Sequence, residues 1–210
     1  MRKKLTKRIS IDDIHEICFM AQGERNDGVK AKLYDLTFDE DERVALNALW
    51  TFSHFDQANN EWLYAKHDDL INRVLIEKNT SKLRIMLSLL LRQPFEVESL
   101  RSDFIDFCES KITACSQPYA IRAYCMKLAY EQMKYYPELL AELKATLDML
   151  SQEPLSPALQ SAKNQVMKKI KKNGMEPFTI RRQRNLYPAI GSVWDLSERA
   201  TLYAAPCFRL

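Results

Sequence analysis

Apolar residues recur at helical spacing along almost the whole chain to residue 172, and three stretches repeat one pattern. They are Arg43-Val-Ala-Leu-Asn-Ala-Leu49, Arg84-Ile-Met-Leu-Ser-Leu-Leu90 and Arg122-Ala-Tyr-Cys-Met-Lys-Leu128. Each has an Arg, an apolar or small residue after it, an apolar residue three on and a Leu six on. The Args are 41 and 38 residues apart. A second helical pattern follows each stretch, and these also align: Leu70-Ile71 with Val74, Phe104-Ile105 with Cys108, Leu139-Leu140 with Leu143. A unit of two helices repeating about every 40 residues cannot bury its apolar face alone, so neighbours must stack. The register predicts equivalent buried positions for Leu49, Leu90 and Leu128, and for Leu70, Phe104 and Leu139.

Polar punctuation sets the boundaries. Ser10-Ile-Asp-Asp13 is a capping-box pattern, and Ile11, Ile14, Cys18 and Phe19 behind it share roughly one helix face. That helix should end near Gly23, and a short second helix over 29–36 completes an atypical first repeat. The stretch 37–42, acidic from Asp39 on, suits the start of the next helix, predicted to run to 55. Its partner is expected over 62–78. The following pairs are predicted at 81–92 with 97–113, and at 118–134 with 138–150, broken at Pro94 and Pro137. Ser156-Pro157 caps a last helix, expected to run to 172 and stop at Asn173-Gly174. From 175 on the character changes: three Pro, Arg181-Arg182-Gln-Arg184, and Phe178, Tyr187, Trp194, Tyr203 and Phe208. The expected organisation is a solenoid over 1–173 and a basic, aromatic tail over 174–210, docked back on the solenoid with a helix started at the Ser192-Val-Trp-Asp195 box.

The paired-helix pattern, carried by the Arg-to-Leu stretches and their second-helix partners, resembles the HEAT/armadillo superfamily over 39–150 and more loosely over 11–172. Pro118 fits the proline that HEAT repeats often place near the start of the first helix; the units at Arg43 and Arg84 lack it. The resemblance implies an all-α fold, a right-handed α-solenoid of stacked helix pairs whose second helices line a concave face. It implies a binding surface rather than a particular chemistry.

Composition narrows the chemistry. The chain has 210 residues, enough for one sizeable core, and only 4 Gly, which argues against a glycine-rich phosphate loop. Its 5 Cys (Cys18, Cys108, Cys115, Cys125 and Cys207) form no C-x-x-C, and none of the 3 His pairs with them at zinc-site spacing. Reduced buried thiols are expected, with no disulfide, metal or cofactor. The basic N-terminus leads into no apolar run, so neither a secretory signal nor a membrane span is expected and the compartment is read as cytoplasmic. The net charge of +3 hides an asymmetry. Residues 1–10 hold five bases and no acid, residues 160–185 eight bases and one acid, and residues 11–159 16 bases and 25 acids.

Several groups invite a chemical reading. Asp12, His15 and Cys18 lie on about one helix face, but Asp12 suits a helix start and Cys18 a core. His67-Asp68-Asp69 has the residue types of a base with carboxylates, yet reads as a polar helix start. Arg43, Arg84 and Arg122 would stack as a ladder, for anions or for salt bridges to acids such as Asp41 and Glu42. Basic clusters at 2–4, 168–172 and 181–184 suit phosphates, but 62–78, 97–113 and 138–150 together hold six bases against ten acids. A groove lined by those helices repels nucleic acid, leaving only the ends or the outer face for it. The preferred reading is a non-catalytic scaffold binding a protein or peptide on its concave face. Its candidate contacts are Arg73, Arg101, Asp106, Glu109, Glu142 and Asp148, with Arg181, Arg182 and Arg184 in the tail. The alternative is a nucleic-acid-associated protein, up to an alkylated-DNA repair enzyme. That branch requires a basic groove with an acid and aromatics around the base, and no such set matches here residue by residue.

Overall fold

The computed structural model describes residues 1–23, 25–150 and 155–175, and every regular element among them is a helix. The docked tail, its Ser192 box, Arg181, Arg182, Arg184 and Cys207 lie outside the described residues.

The start of the chain forms a short helix that the sequence pattern did not reveal, α1 (Arg2–Leu5). Its apolar signal is only two residues, Leu5 and Ile9, among five bases, yet both are buried. Helix α2 (Ile11–Ala21) begins at the expected box: Asp13 N–H donates to Ser10 Oγ at 3.2 Å and Ser10 N–H to Asp13 Oδ2 at 2.9 Å. Gly23 follows with φ of 112°, a left-handed conformation that favours glycine. Helix α3 (Asp27–Asp35) and a 3-10 turn (Leu36–Phe38) close the first unit.

The first helices of the later units are α4 (Glu42–Ser53), α7 (Thr80–Leu90), α9 (Tyr119–Met133) and α11 (Pro157–Met175). Asp41 and Asn79 cap α4 and α7 by accepting from backbone N–H groups. The second helices are α6 (His67–Ile76), α8 (Ser102–Thr113) and α10 (Pro137–Met149), the last opened by its proline. Helix α11 runs through Asn173-Gly174 rather than stopping before it.

One second helix departs from the expected continuous span of 62–78. A short helix α5 (Gln57–Asn60) and a 3-10 stretch (Glu61–Lys66) precede α6. Side chains compete with the backbone ladder here: Asp56 accepts from Asn59 N–H at 2.8 Å, and Asn60 Nδ2 donates to Phe55 O at 3.1 Å. The third unit shows a milder version, with a 3-10 turn (Val97–Ser99) ahead of α8.

Helices α4, α7, α9 and α11 pack each on the next as one layer, and α6, α8 and α10 pack beneath them, α6 directly against α8. The core runs between the layers. Leu49, Leu90, Leu128, Leu70 and Phe104 are all buried. Leu139 is only half-buried, because Leu140, Leu143 and Leu147 supply the buried face of α10. The Arg ladder does not form. Arg43 and Arg84 are exposed, whereas Arg122 is buried and donates from Nε to Ile112 O at 3.0 Å, near the C-terminal end of α8. Leu128 keeps the register of Leu49 and Leu90, but the Arg of α9 serves the preceding helix.

Units are also tied by polar contacts. Arg73 on α6 reaches back to the first unit, donating to Thr37 Oγ1 and Thr37 O at 2.8 Å each, with its guanidinium carbon 3.9 Å from the Phe38 ring centroid. Arg92 donates to Phe55 O at 2.6 Å, and Tyr135 to Phe95 O at 2.9 Å. Glu131 on α9 accepts from Lys169 on α11 and from Lys134, each at 2.9 Å. Burial alone would push the Glu131 pKa up, but these two cations outweigh it and hold the carboxyl below its ordinary range.

Candidate partner-binding face

The exposed side of the second-helix layer is acidic. Helices α6, α8 and α10 carry Asp68, Asp69, Asp103, Asp106, Glu109, Glu138, Glu142 and Asp148 against Arg73, Lys111 and Lys144. Each of those cations is already engaged: Arg73 with Thr37 and Phe38, Lys111 over the Phe107 ring at 5.1 Å, Lys144 with Asp148 at 2.6 Å. The local sequence explains the placement. On each helix apolar residues recur toward the core, and the intervening polar positions fall outward.

The residues expected to touch a partner divide into two groups. Arg73 and Arg101 are half-buried and bound within the fold. Arg101 forks onto Asp103 at 2.9 and 2.6 Å and donates to Asn72 Oδ1 on α6 at 2.9 Å, which ties two second helices together. Asp148 is exposed but paired with Lys144, whose hydrogen bond holds its carboxyl below the ordinary range. Asp106, Glu109 and Glu142 form the second group. Asp106 and Glu142 are exposed with no cation on them among the described residues. Glu109 lies between: its Oε1 is buried without a hydrogen-bond partner. Burial first, then the charges of Glu142 and Asp106, push its carboxyl above the ordinary value. Three uncompensated carboxylates across α8 and α10 make a site that gains from an arriving cation. Two exposed apolar side chains stand on the same layer, Ile76 at 78% exposure and Met149 at 69%.

The other chemical candidates do not assemble. Cys18 is buried, its Sγ is 3.7 Å from Thr51 O, and burial pushes its pKa up to about 11, while Asp12 and His15 face solvent. Cys108 is buried beside Cys125, and burial and that contact hold its thiol protonated. His67 turns to Gln93 Oε1 at 2.8 Å and to the Phe95 ring, and Asp69 accepts from the Tyr34 hydroxyl. No group of three or more His, Cys, Asp or Glu suited to a metal occurs among the described residues. No helix among them is long and apolar enough to cross a membrane.

Sequence reasoning missed that the first-helix layer has the opposite charge. Helices α4, α7, α9 and α11 carry Arg43, Lys82, Arg84, Arg122, Lys127, Lys163, Lys168, Lys169, Lys171 and Lys172 against only Glu42 and Glu131. The signal was present, but it emerges only when charges are counted by layer instead of along the chain.

Two layers of helix pairs, each unit packed on the next, define an α-solenoid. The chain matches the model of the HEAT repeat domain family over residues 1–170 and belongs to that family. HEAT repeats are commonly protein-interaction scaffolds. No curated protein matches the chain.

Proposed function

We propose that this protein is a non-catalytic scaffold that binds a basic segment of a partner protein on the layer formed by α6, α8 and α10, the side that HEAT architecture curves inward. One observation carries the reading: Asp106, Glu109 and Glu142 are gathered across two helices with their charge uncompensated. An Arg- or Lys-rich segment would neutralise them, and its aliphatic stems would lie on apolar surface such as Met149. The exposed apolar positions favour a protein partner over a small solute, since interface centres are enriched in such side chains.

The test uses a short labelled Arg/Lys-rich peptide and fluorescence anisotropy. The double variant Asp106→Lys, Glu142→Lys should weaken binding by at least about tenfold, since like charges then face each other. Both positions are exposed, so the melting temperature should hardly change. Unchanged peptide affinity in the folded double variant would reject the reading.

A further inference from the structure

The first-helix layer bears free charge of one sign only. Its two acids are engaged: Glu42 accepts from Lys82 at 3.1 Å (a cation it shares with Glu77 at 3.3 Å) and from the Asn79 amide at 2.6 Å, and Glu131 pairs with Lys134 and Lys169. Arg43 on α4, Arg84 on α7, Lys127 on α9, and Lys168 and Lys172 on α11 make no side-chain hydrogen bond or ion pair among the described residues. All are exposed except Lys127, which is half-buried. The N-terminal segment extends this surface. Asn47 on α4 donates to Leu5 O at 2.8 Å and Lys7 O at 3.1 Å, which pins the exposed Lys7 and Arg8 beside that helix. The N-terminal basic stretch thus lies against α4, at the opposite end of the row of first helices from the basic stretch on α11. On α11 a shallow hollow lined by Gln160, Ser161, Asn164, Gln165 and Lys168 adds uncharged donors.

We infer that this face binds the phosphate backbone of nucleic acid without reading its sequence, a second activity independent of the acidic face. Four helices packed at about 8–10 Å spacing spread the cations over about 25–30 Å, close to one turn of duplex. The cations come from separate helices, so they form a broad field that suits a polyanion better than a single phosphate. Amide and hydroxyl groups of the kind in the α11 hollow are common phosphate contacts. An anionic membrane fits less well, since Phe19, Ile76, Met149 and Phe38 lie on other elements and Tyr119, at the start of α9, is the one large apolar side chain exposed on this layer among the described residues. Arg43 adds a local clue. A cation in the first turn of a helix opposes the helix dipole, so Arg43 gains nothing from its own helix end, which Asp41 and Glu42 serve.

The experiment is a titration of the full chain into a labelled duplex DNA of arbitrary sequence across a series of salt concentrations. Five neutralised phosphates give a slope of log affinity on log salt of about −4.5, or a loss of about 500-fold between about 50 and about 200 mM. The triple variant Arg43→Glu, Arg84→Glu, Lys168→Glu should reduce the slope by about 3 and the low-salt affinity by at least about 100-fold. All three positions are exposed, and the first change favours the dipole, so the fold should survive; Lys127→Glu with Lys172→Glu is the second variant if it does not. Asp106→Lys with Glu142→Lys should leave DNA binding no weaker, which separates this face from the acidic one. Three results would overturn the inference: no DNA binding at low salt, binding unchanged in the folded triple variant (which keeps Arg181, Arg182 and Arg184), or binding to anionic lipid vesicles without binding to DNA.

Discussion

Replacing Arg73 with alanine should destabilise the protein while leaving its affinity for a basic peptide intact. Arg73 makes two hydrogen bonds to Thr37 and lies 3.9 Å from the Phe38 ring centroid. A hydrogen bond to a charged group contributes about 1.5–3 kcal/mol, and a cation–π contact about 0.5–2 kcal/mol. The guanidinium is only half-buried, so solvent replaces part of this and a net cost of about 3 kcal/mol is reasonable. In a body of this size that lowers the melting temperature by about 6–12 °C. Arg73→Lys should recover less than half, because an ammonium cannot fork onto both Thr37 oxygens. The assay is thermal denaturation followed by circular dichroism, paired with peptide anisotropy on each variant. An unchanged melting temperature together with lost peptide binding would refute the reasoning and return Arg73 to the partner site.

Arg122→Met should cost less than about 1.5 kcal/mol by urea denaturation, because it removes a buried Nη2 without a partner as well as the bond to Ile112. Arg122→Ala should cost about 3 kcal/mol, since the packing of the stem is lost too; equal costs would contradict this. Glu109 has a raised folded pKa, so its ionisation opposes folding and stability is lost as pH rises through that pKa. Glu109→Gln should therefore stabilise the protein at neutral pH and flatten the stability profile just above the ordinary carboxylate range; a destabilised variant at neutral pH would count against the acidic cluster. Limited trypsin digestion tests the proposed tail: cleavage at Arg181–Arg184 should be slow and truncation should lower the melting temperature by several degrees, whereas fast cleavage with no loss would reject it.

Much of the fold is legible because stacking leaves a repeated mark. Leu49, Leu90 and Leu128 must each fill the same interlayer space, and the capping box at Ser10 uses only local geometry. The carbonyl that an Arg side chain can reach is not a local property, and so the spacing placed Arg122 wrongly with Arg43 and Arg84. The pattern Arg-Ala-Tyr-Cys is equally compatible with an outward or an inward Arg, and the choice falls to the Ile112 carbonyl that α8 leaves unsatisfied. The break before α6 was hidden for a similar reason: Asp56 and Asn60 redirect the backbone through side-chain bonds that apolar spacing does not register. At the candidate site, Asp106, Glu109 and Glu142 follow from helical spacing alone. Arg73 and Arg101 share that spacing, but their long side chains reach oxygens on the preceding unit, and only three-dimensional placement shows which ones.

The most direct test of the account is a residue-level map of where a basic peptide sits. Backbone and carboxyl NMR shifts of the full chain should be followed while the Arg/Lys-rich peptide is added. The account predicts shifts concentrated on α8 and α10 at Asp106, Glu109 and Glu142, and a Glu109 pKa that falls on binding as the cation offsets its neighbours. Shifts confined to α4, α7 and α9, or a Glu109 pKa that does not move at saturating peptide, would contradict it.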